Sequence, residues 1–343
     1  MTYIADQDYQ ILHQKTDAAQ AARIIEPEGA NAVQGSLLLS PLKSIFVLTN
    51  LTIAVLFAWG TFSWFNLALM AALLLIFLWL GNSVGLHRLF IHRSFACPLW
   101  LENCLVTCGT LAGLGGPFSA IRIHDERDWA QRQPAPGLSE GTERVEGARL
   151  STGLSEGTER GERAAALKGC HPFFAHDNNF VGDLMYQLFY RFEFTKGPII
   201  NPRAELTGPR PYLEFQERYW WAFQIFLALA VLPLGLGAVV WGVSVRLLLS
   251  LLGHWTGVYL THRFGSIDFV QHGDAVQGRN IPAISWLTFG ESMHNNHHAY
   301  PRSAKLNYTP NSHDLSYWFI QQLAKVGLAW DILTPANADQ GAA

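Results

Sequence analysis

The chain has 343 residues, of which 49% are hydrophobic and only 15% charged, against about 25% charged in a typical soluble domain. The formal net charge of -3 argues against the basic surface that a nucleic-acid partner requires. Aromatics reach 13%, and many of the 12 tryptophans stand at the ends of apolar runs, as in the interfacial belts of a membrane protein. Cys97, Cys104, Cys108 and Cys170 show no CxxC spacing. Cys104 and Cys108 lie i, i+4 on an apolar stretch and read as small buried residues, neither ligands nor a disulfide.

Residues 1–42 are polar and acidic, without the apolar core of a cleavable signal peptide. They read as a cytosolic N-terminal segment in which His13 is solvated. Ile45 to Phe62 and Leu67 to Leu86 are apolar, with a break at Gly60–Asn66. A helix needs about 20 apolar residues to cross the hydrocarbon, so the two runs predict a transmembrane hairpin with a short uncharged turn. His87 and His92 follow at i, i+5, about 140° apart on an ideal α-helix. They can share one site only where the helix ends or unwinds; otherwise they serve two metals, or are merely interfacial.

Pro98 to Phe118 is apolar but broken by glycines and contains Glu102, which predicts an interfacial or re-entrant segment. A charged helix start, Arg122 to Trp129, carries His124 and Asp128. The octet Gly137–Arg144, Gly-Leu-Ser-Glu-Gly-Thr-Glu-Arg, recurs at Gly153–Arg160. Residues 134–169 hold this mixed-charge repeat without an aromatic residue, and a segment that buries no apolar surface reads as a flexible insertion. His171 and His176 flank Phe173-Phe174 and read as neighbours of a site or of its substrate ahead of ligands. Residues 177–217 read as cytosolic helices and loops.

Tyr219 to Leu236 and Val239 to Leu260 form a second apolar pair around Pro233, Gly235 and Gly237. Arg246 lies inside the fourth run, where an unpaired charge is costly; it must sit near the far interface or face a partner. His254 falls within this run and His262 just after it, while His272 reads as a loop residue. Leu315 to Ile332 is amphipathic, with Trp318, Phe319, Leu323 and Val326 expected on one packed side, and His313 before it solvated.

The strongest signal is Glu291-Ser292-Met293-His294-Asn295-Asn296-His297-His298. Histidines at i, i+3 and i+4 share one helical face and can grip one metal or bridge two. Glu291, one turn earlier, can take a far ring N–H, and Asn280 can cap the helix that carries the motif. Both hairpin turns lack Lys and Arg, so the positive-inside rule places the termini and the clustered histidines on the cytoplasmic side. Imidazole suits several metals. A metal site at the mouth of an apolar bundle suits a long apolar substrate, and attack on an unactivated C–H bond needs an O₂-activating redox metal, which Zn²⁺ is not.

His87-x-x-x-x-His92, the histidine after the fourth run, Glu291 with His294-x-x-His297-His298, Gly278-Arg279-Asn280 and Tyr300-Pro301 resemble the histidine boxes of membrane acyl-CoA desaturases of the stearoyl-CoA type. His124 to Gln131 and Gly253 to Trp255 resemble the bacterial branch. The likeness covers about residues 43–332 without the insertion. It implies an all-α membrane protein, with four transmembrane helices in two hairpins and a cytosolic helical cap over a histidine-rich di-iron site. The desaturase domain would run over 43–335, interrupted at 134–169, with 336–343 as a tail. Two non-haem Fe²⁺ ions would be held by His87, His92, His124, His262, His294, His297 and His298. Asp128, His254, His171, His176, Glu291 and Asn280 are further candidates for the metal or for bonding its ligands. The second box departs from the pattern, with Arg127 and Asp128 where two histidines are usual.

The implied reaction is O₂-dependent insertion of a cis double bond, at Δ9, into a saturated acyl chain carried by CoA, acyl carrier protein or phospholipid. Electrons would come from a separate ferredoxin-like or cytochrome b5-like protein, at the bacterial inner membrane. A related di-iron hydroxylase or ketolase shares the hydrogen-abstraction step and is the competing expectation. A metal transporter is a remote one, since transporters place ligands near the midplane on broken helices. Loop insertions cost little because closure entropy rises slowly with length. Deleting 136–168 is therefore expected to leave membrane insertion and turnover near those of the intact chain, measured side by side in one host.

Overall fold

The computed structural model describes residues 23–133, 179–271 and 274–335. His13, the repeat insertion, Cys170, His171, His176, His272 and the tail 336–343 lie outside the described residues.

Helix α1, Pro41–Phe57, opens with proline in its first turn, where the missing N–H costs nothing. After a short 3₁₀ turn, Ser63 caps α2 by accepting from Asn66 N. Helix α2 runs unbroken over Trp64–Ile91, and its second half, Phe77–Ile91, is π-wound. The remaining helices are α3 Leu99–Leu111, α4 Pro117–Arg132, α5 Phe180–Phe189, α6 Pro211–Tyr219, α7 Ala222–Val231, α8 Leu236–Arg263, α9 His294–Ala299 and α10 Leu315–Lys325. Helices α2 and α8, 28 residues each, are long and apolar enough to cross a membrane, whereas Pro41–Phe57 and Ala222–Leu234 are apolar but shorter.

The fold is mostly helical, and the all-α expectation needs correction. Strand β1, Ile24–Ile25, pairs antiparallel with β4, Ile199–Ile200. Strand β2, Asn31–Leu39, pairs antiparallel with β3, Tyr190–Lys196, with Leu39 opposite Tyr190. The strand signal was present in Tyr-Arg-Phe-Glu-Phe-Thr-Lys, which alternates large and charged residues with period two. Gly35 lets β2 approach the Phe192 ring, which a Cβ there would meet at 2.3 Å.

Helix α3 ends inside the bundle. Its terminal carbonyls meet side chains of α7 and α8. Arg246 Nη1 and Gln224 Nε2 donate to Leu111 O at 2.5 and 3.0 Å, and Ser250 Oγ donates to Ala112 O at 2.8 Å. Arg246 is fully buried, bonds Gln224 Oε1 at 2.6 Å, and stacks over Phe77 at 4.9 Å. It faces the negative end of a helix dipole, a favourable place for a cation.

Three smaller expectations also change. Helix α4 begins at Pro117, five residues before Arg122, because Glu217 accepts from Phe118 N and Ser119 N at 2.9 and 3.0 Å and caps it there. Cys104 is exposed and Cys108 half-buried, since α3 turns Leu105, Val106 and Gly109 inward instead. On α10, Ile320 is buried with Phe319 and Leu323 packed around it, while Trp318 and Val326 point outward.

Helix α3 packs closely on α2 through glycines. A Cβ on Gly85 would stand 2.5 Å from Leu105 O, and one on Gly81 2.3 Å from the Cys108 carbonyl carbon. Backbone cannot yield as a side chain can, and overpacking costs about 1–3 kcal/mol or more. Gly85→Val is expected to lower the thermal midpoint of the detergent-solubilised protein. Gly60→Val, at a site with nothing within 4 Å, should not.

Candidate metal centre

The π winding of α2 resolves the i, i+5 spacing of its two histidines. His92 N donates to His87 O at 3.0 Å, an i→i+5 bond that places both residues on one face. Their ring centroids are 4.8 Å apart. His124 on α4 and His297 on α9 join them, and all four side chains offer ligand atoms within 4.8 Å of one another. A second group, His262 at the end of α8 with His294 and His298 on α9, is equally tight. Helix α9 supplies both groups, with the His294 and His297 rings stacked at 5.5 Å. All seven family-matched histidines are thus brought together, in one set of four and one of three.

Hydrogen bonds aim several of these rings. His87 Nδ1 lies 2.7 Å from Glu291 Oε2; a carboxylate only accepts, so Nδ1 carries the proton and Nε2 is left with a free lone pair for a metal. His262 Nδ1 donates to Val258 O at 2.8 Å, which leaves the Nε2 lone pair to face a metal. His92 Nε2 and His124 Nε2 are 3.1 Å apart, as are His294 Nε2 and His298 Nε2. Burial, with His124 and His87 nearby, holds His92 well below the usual imidazole range. Burial and neighbouring histidines do the same for His297, and burial brings His298 down to about 4. Neutral imidazoles with converging ring nitrogens are what a metal cation takes up, so the donor set fits a metal.

The outer partners are equally specific. Ser83 Oγ donates a short hydrogen bond to Glu291 Oε1. Arg88 Nη2 meets the same oxygen at 3.1 Å, and Arg88 Nη1 meets Asp314 Oδ1 at 2.8 Å. Burial pushes the Glu291 carboxyl up, but His87 and Arg88 outweigh it and hold it below the usual carboxylate range. Phe289 and Gly290 adopt φ of 60° and 102°, turning the chain into the motif. At Gly290 a Cβ would stand 2.6 Å from Asp314 Oδ1, so glycine is needed twice over.

Asn280 Oδ1 accepts from Asn295 N and Asn296 N at 3.0 and 3.1 Å, capping α9. Its Nδ2 donates to Asp268 Oδ2 and Asn296 Oδ1 at 2.8 and 2.7 Å. Sequence reasoning missed Ser83, Asp314 and Asp268; Gly278 it quoted only as part of the family likeness, and a Cβ there would stand 2.8 Å from His294 O. Asp125 was passed over too, although its Oδ1 lies 3.6 Å from His124 Nδ1 and bonds Arg23 at 2.9 Å. No sequence pattern marks these partners except their nearness to the boxes.

Asp128 and His254 belong to neither group. Asp128 Oδ2 is 3.6 Å from His124 Nδ1, the ring nitrogen turned away from His92, and its Oδ1 is 3.5 Å from Arg127 Nε. Burial raises its carboxyl, but His124 and Arg127 outweigh burial and hold it well below the ordinary range. His254 lies in α8 with Nδ1 3.3 Å from Asn82 Nδ2.

The chain is 31% identical to the sn-1 stearoyl-lipid 9-desaturase of Anabaena variabilis, over 82% of this chain and 90% of that protein. The chain belongs to the fatty acid desaturase family. The sn-1 stearoyl-lipid 9-desaturase of Synechocystis is 29% identical, over 85% of this chain and 80% of the relative. The sn-2 palmitoyl-lipid 9-desaturase of Nostoc is 28% identical, over 92% and 98%. No protein-family profile matches. The protein is an oxidoreductase of fatty acyl chains and a membrane protein, and its two histidine groups have the donor set to hold a metal. Partners of ligating imidazoles typically set about 10–100-fold in metal affinity. Glu291→Ala is expected to lower metal affinity by that order, measured as metal retained per chain after dialysis against a graded chelator.

Proposed function

We propose that this desaturase inserts a cis double bond at position 9 of a saturated acyl chain carried on a membrane lipid, using two non-haem irons. The observation that carries the reading is the pair of histidine groups joined through α9, one of four ligand side chains and one of three. The names of the cyanobacterial relatives, acyl-lipid 9-desaturases at 28–31% identity, support both the position and the lipid carrier over CoA or acyl carrier protein.

His87, His92, His124 and His297 would hold one iron, and His262, His294 and His298 the other. Bound iron would supply O₂-activating redox chemistry strong enough for an unactivated C–H bond. The protein's own part is orientation. Glu291 and Val258 O fix the tautomers of His87 and His262, Asn280 holds α9, and Arg88 holds Glu291. The electrons would arrive from a separate ferredoxin-like or cytochrome b5-like protein.

In this reading α1, α2, α7 and α8 are four spans in two hairpins. Trp59 (93% exposed), Trp64 (78%) and Leu236 (72%) stand at the hairpin tips, suited to the far interface. The termini and the metal site face the cytoplasm at a bacterial inner membrane. Residues 43–335 act as one desaturase domain interrupted at 134–169.

Protein from iron-replete cells is expected to carry about two irons per chain by elemental analysis, as a dinuclear site requires. A host expressing it should gain monounsaturated lipids with the bond at position 9. Stoichiometric zinc in active protein without iron would sink the redox assignment, and a gain of oxygen in the product would replace desaturation by hydroxylation.

A further inference from the structure

A polar pair beside the first histidine group is left without a role by the metal site. Asn82 precedes His87 by five residues on the π-wound part of α2, so it occupies the same face one turn deeper. His254 meets it from α8 at 3.3 Å. An amide nitrogen only donates, so His254 Nδ1 accepts. Arg127, His87, Glu291 and His124, from other parts of the chain, all lie within electrostatic range of His254. Yet Asn82 and His254 both keep accessible surface, as do the side chains of His87 and Glu291, at 14% and 24%. Packing therefore does not close off the pair or the first histidine group.

Asn82 lies one turn into the apolar helix from His87, so an acyl chain reaching the first histidine group along this face of α2 would run beside the pair. A half-buried polar pair is tolerated beside apolar chain because its two members satisfy each other. It also ties α2 to α8 one turn, about 5 Å, below His87. We propose that the Asn82–His254 hydrogen bond is the positioning contact that fixes how far the acyl chain slides past the metals, and so which carbon is desaturated. This rests on the desaturase reading above.

The test maps double bonds in lipids from hosts expressing the intact chain and the variants Asn82→Ala, His254→Leu and His254→Gln, with iron per chain measured in parallel. Small changes in the fit of an apolar chain are worth about tenfold or more in discrimination. Asn82→Ala and His254→Leu should therefore lower the ratio of the parental double-bond position to its neighbours by about tenfold, with iron unchanged. His254→Gln, whose side-chain oxygen can still accept from Asn82, should restore the parental position. A single parental position in both disrupted variants, whatever their turnover, overturns the proposal. Loss of iron in His254→Leu also overturns it, by making His254 a ligand. Should one disrupted variant fail to accumulate, the other decides alone. No unsaturated product from the intact chain would defeat the desaturase reading itself, an outcome distinct from these.

Discussion

The site depends on one buried cation. Arg88, 1% exposed, lies between Glu291 and Asp314 and also donates to Ala304 O at 2.6 Å. Taking one partner from a buried ion pair costs about 3–5 kcal/mol, because the remaining charge is stranded. The arrangement therefore ties the end of α2 to the turn before α9 and to the start of α10, where Asp314 also caps Tyr317 N at 2.9 Å. Glu291, held by Arg88 and Ser83, presents its other oxygen to His87. A charge network that looks structural thus ends on a candidate ligand, and the first and last histidine boxes are positioned by the same guanidinium.

A second constraint is that the imidazoles must stay neutral and turn the correct nitrogen inward. Burial favours neutrality without any further device. Direction comes from acceptors behind the rings, a carboxylate for His87 and a backbone carbonyl for His262. The π winding of α2 then brings His87 and His92 together at a spacing that an ordinary α-helix does not, and the short α9 shares its three histidines between the two groups. Helix α9 has only six residues, too few to be stable alone. The Asn280 cap and the close approach at Gly278 hold it in place.

The bundle handles its other charge by the same rule of internal satisfaction. Arg246 binds the carbonyl end of α3, so a cost predicted from sequence becomes the contact that seats this helix. Glu102 near the other end of α3 meets Arg93 at 3.1 Å and Arg210 at 3.5 Å. Helix α3 is thereby fixed at both ends and along its glycine-lined face, and it forms the platform against which the ligand-bearing half of α2 is packed.

The sequence by itself determined what depends on local order. The apolar runs, their turns, the i, i+3, i+4 histidines and the family likeness all follow from residues near one another in the chain. They sufficed to group the helices and to name seven histidines that the fold brings together. The tertiary structure decided what depends on distant partners: Arg88 with Asp314, 226 positions apart, Arg246 with Leu111, and β2 with β3 across the intervening helices. It also decided how the seven histidines divide, four against three. Asp128 shows the limit from the other side, since its i+4 spacing from His124 is equally compatible with a ligand and with a partner behind the ring. Spacing fixes which face a side chain occupies. Only the packing of other elements against that face decides what the side chain meets there.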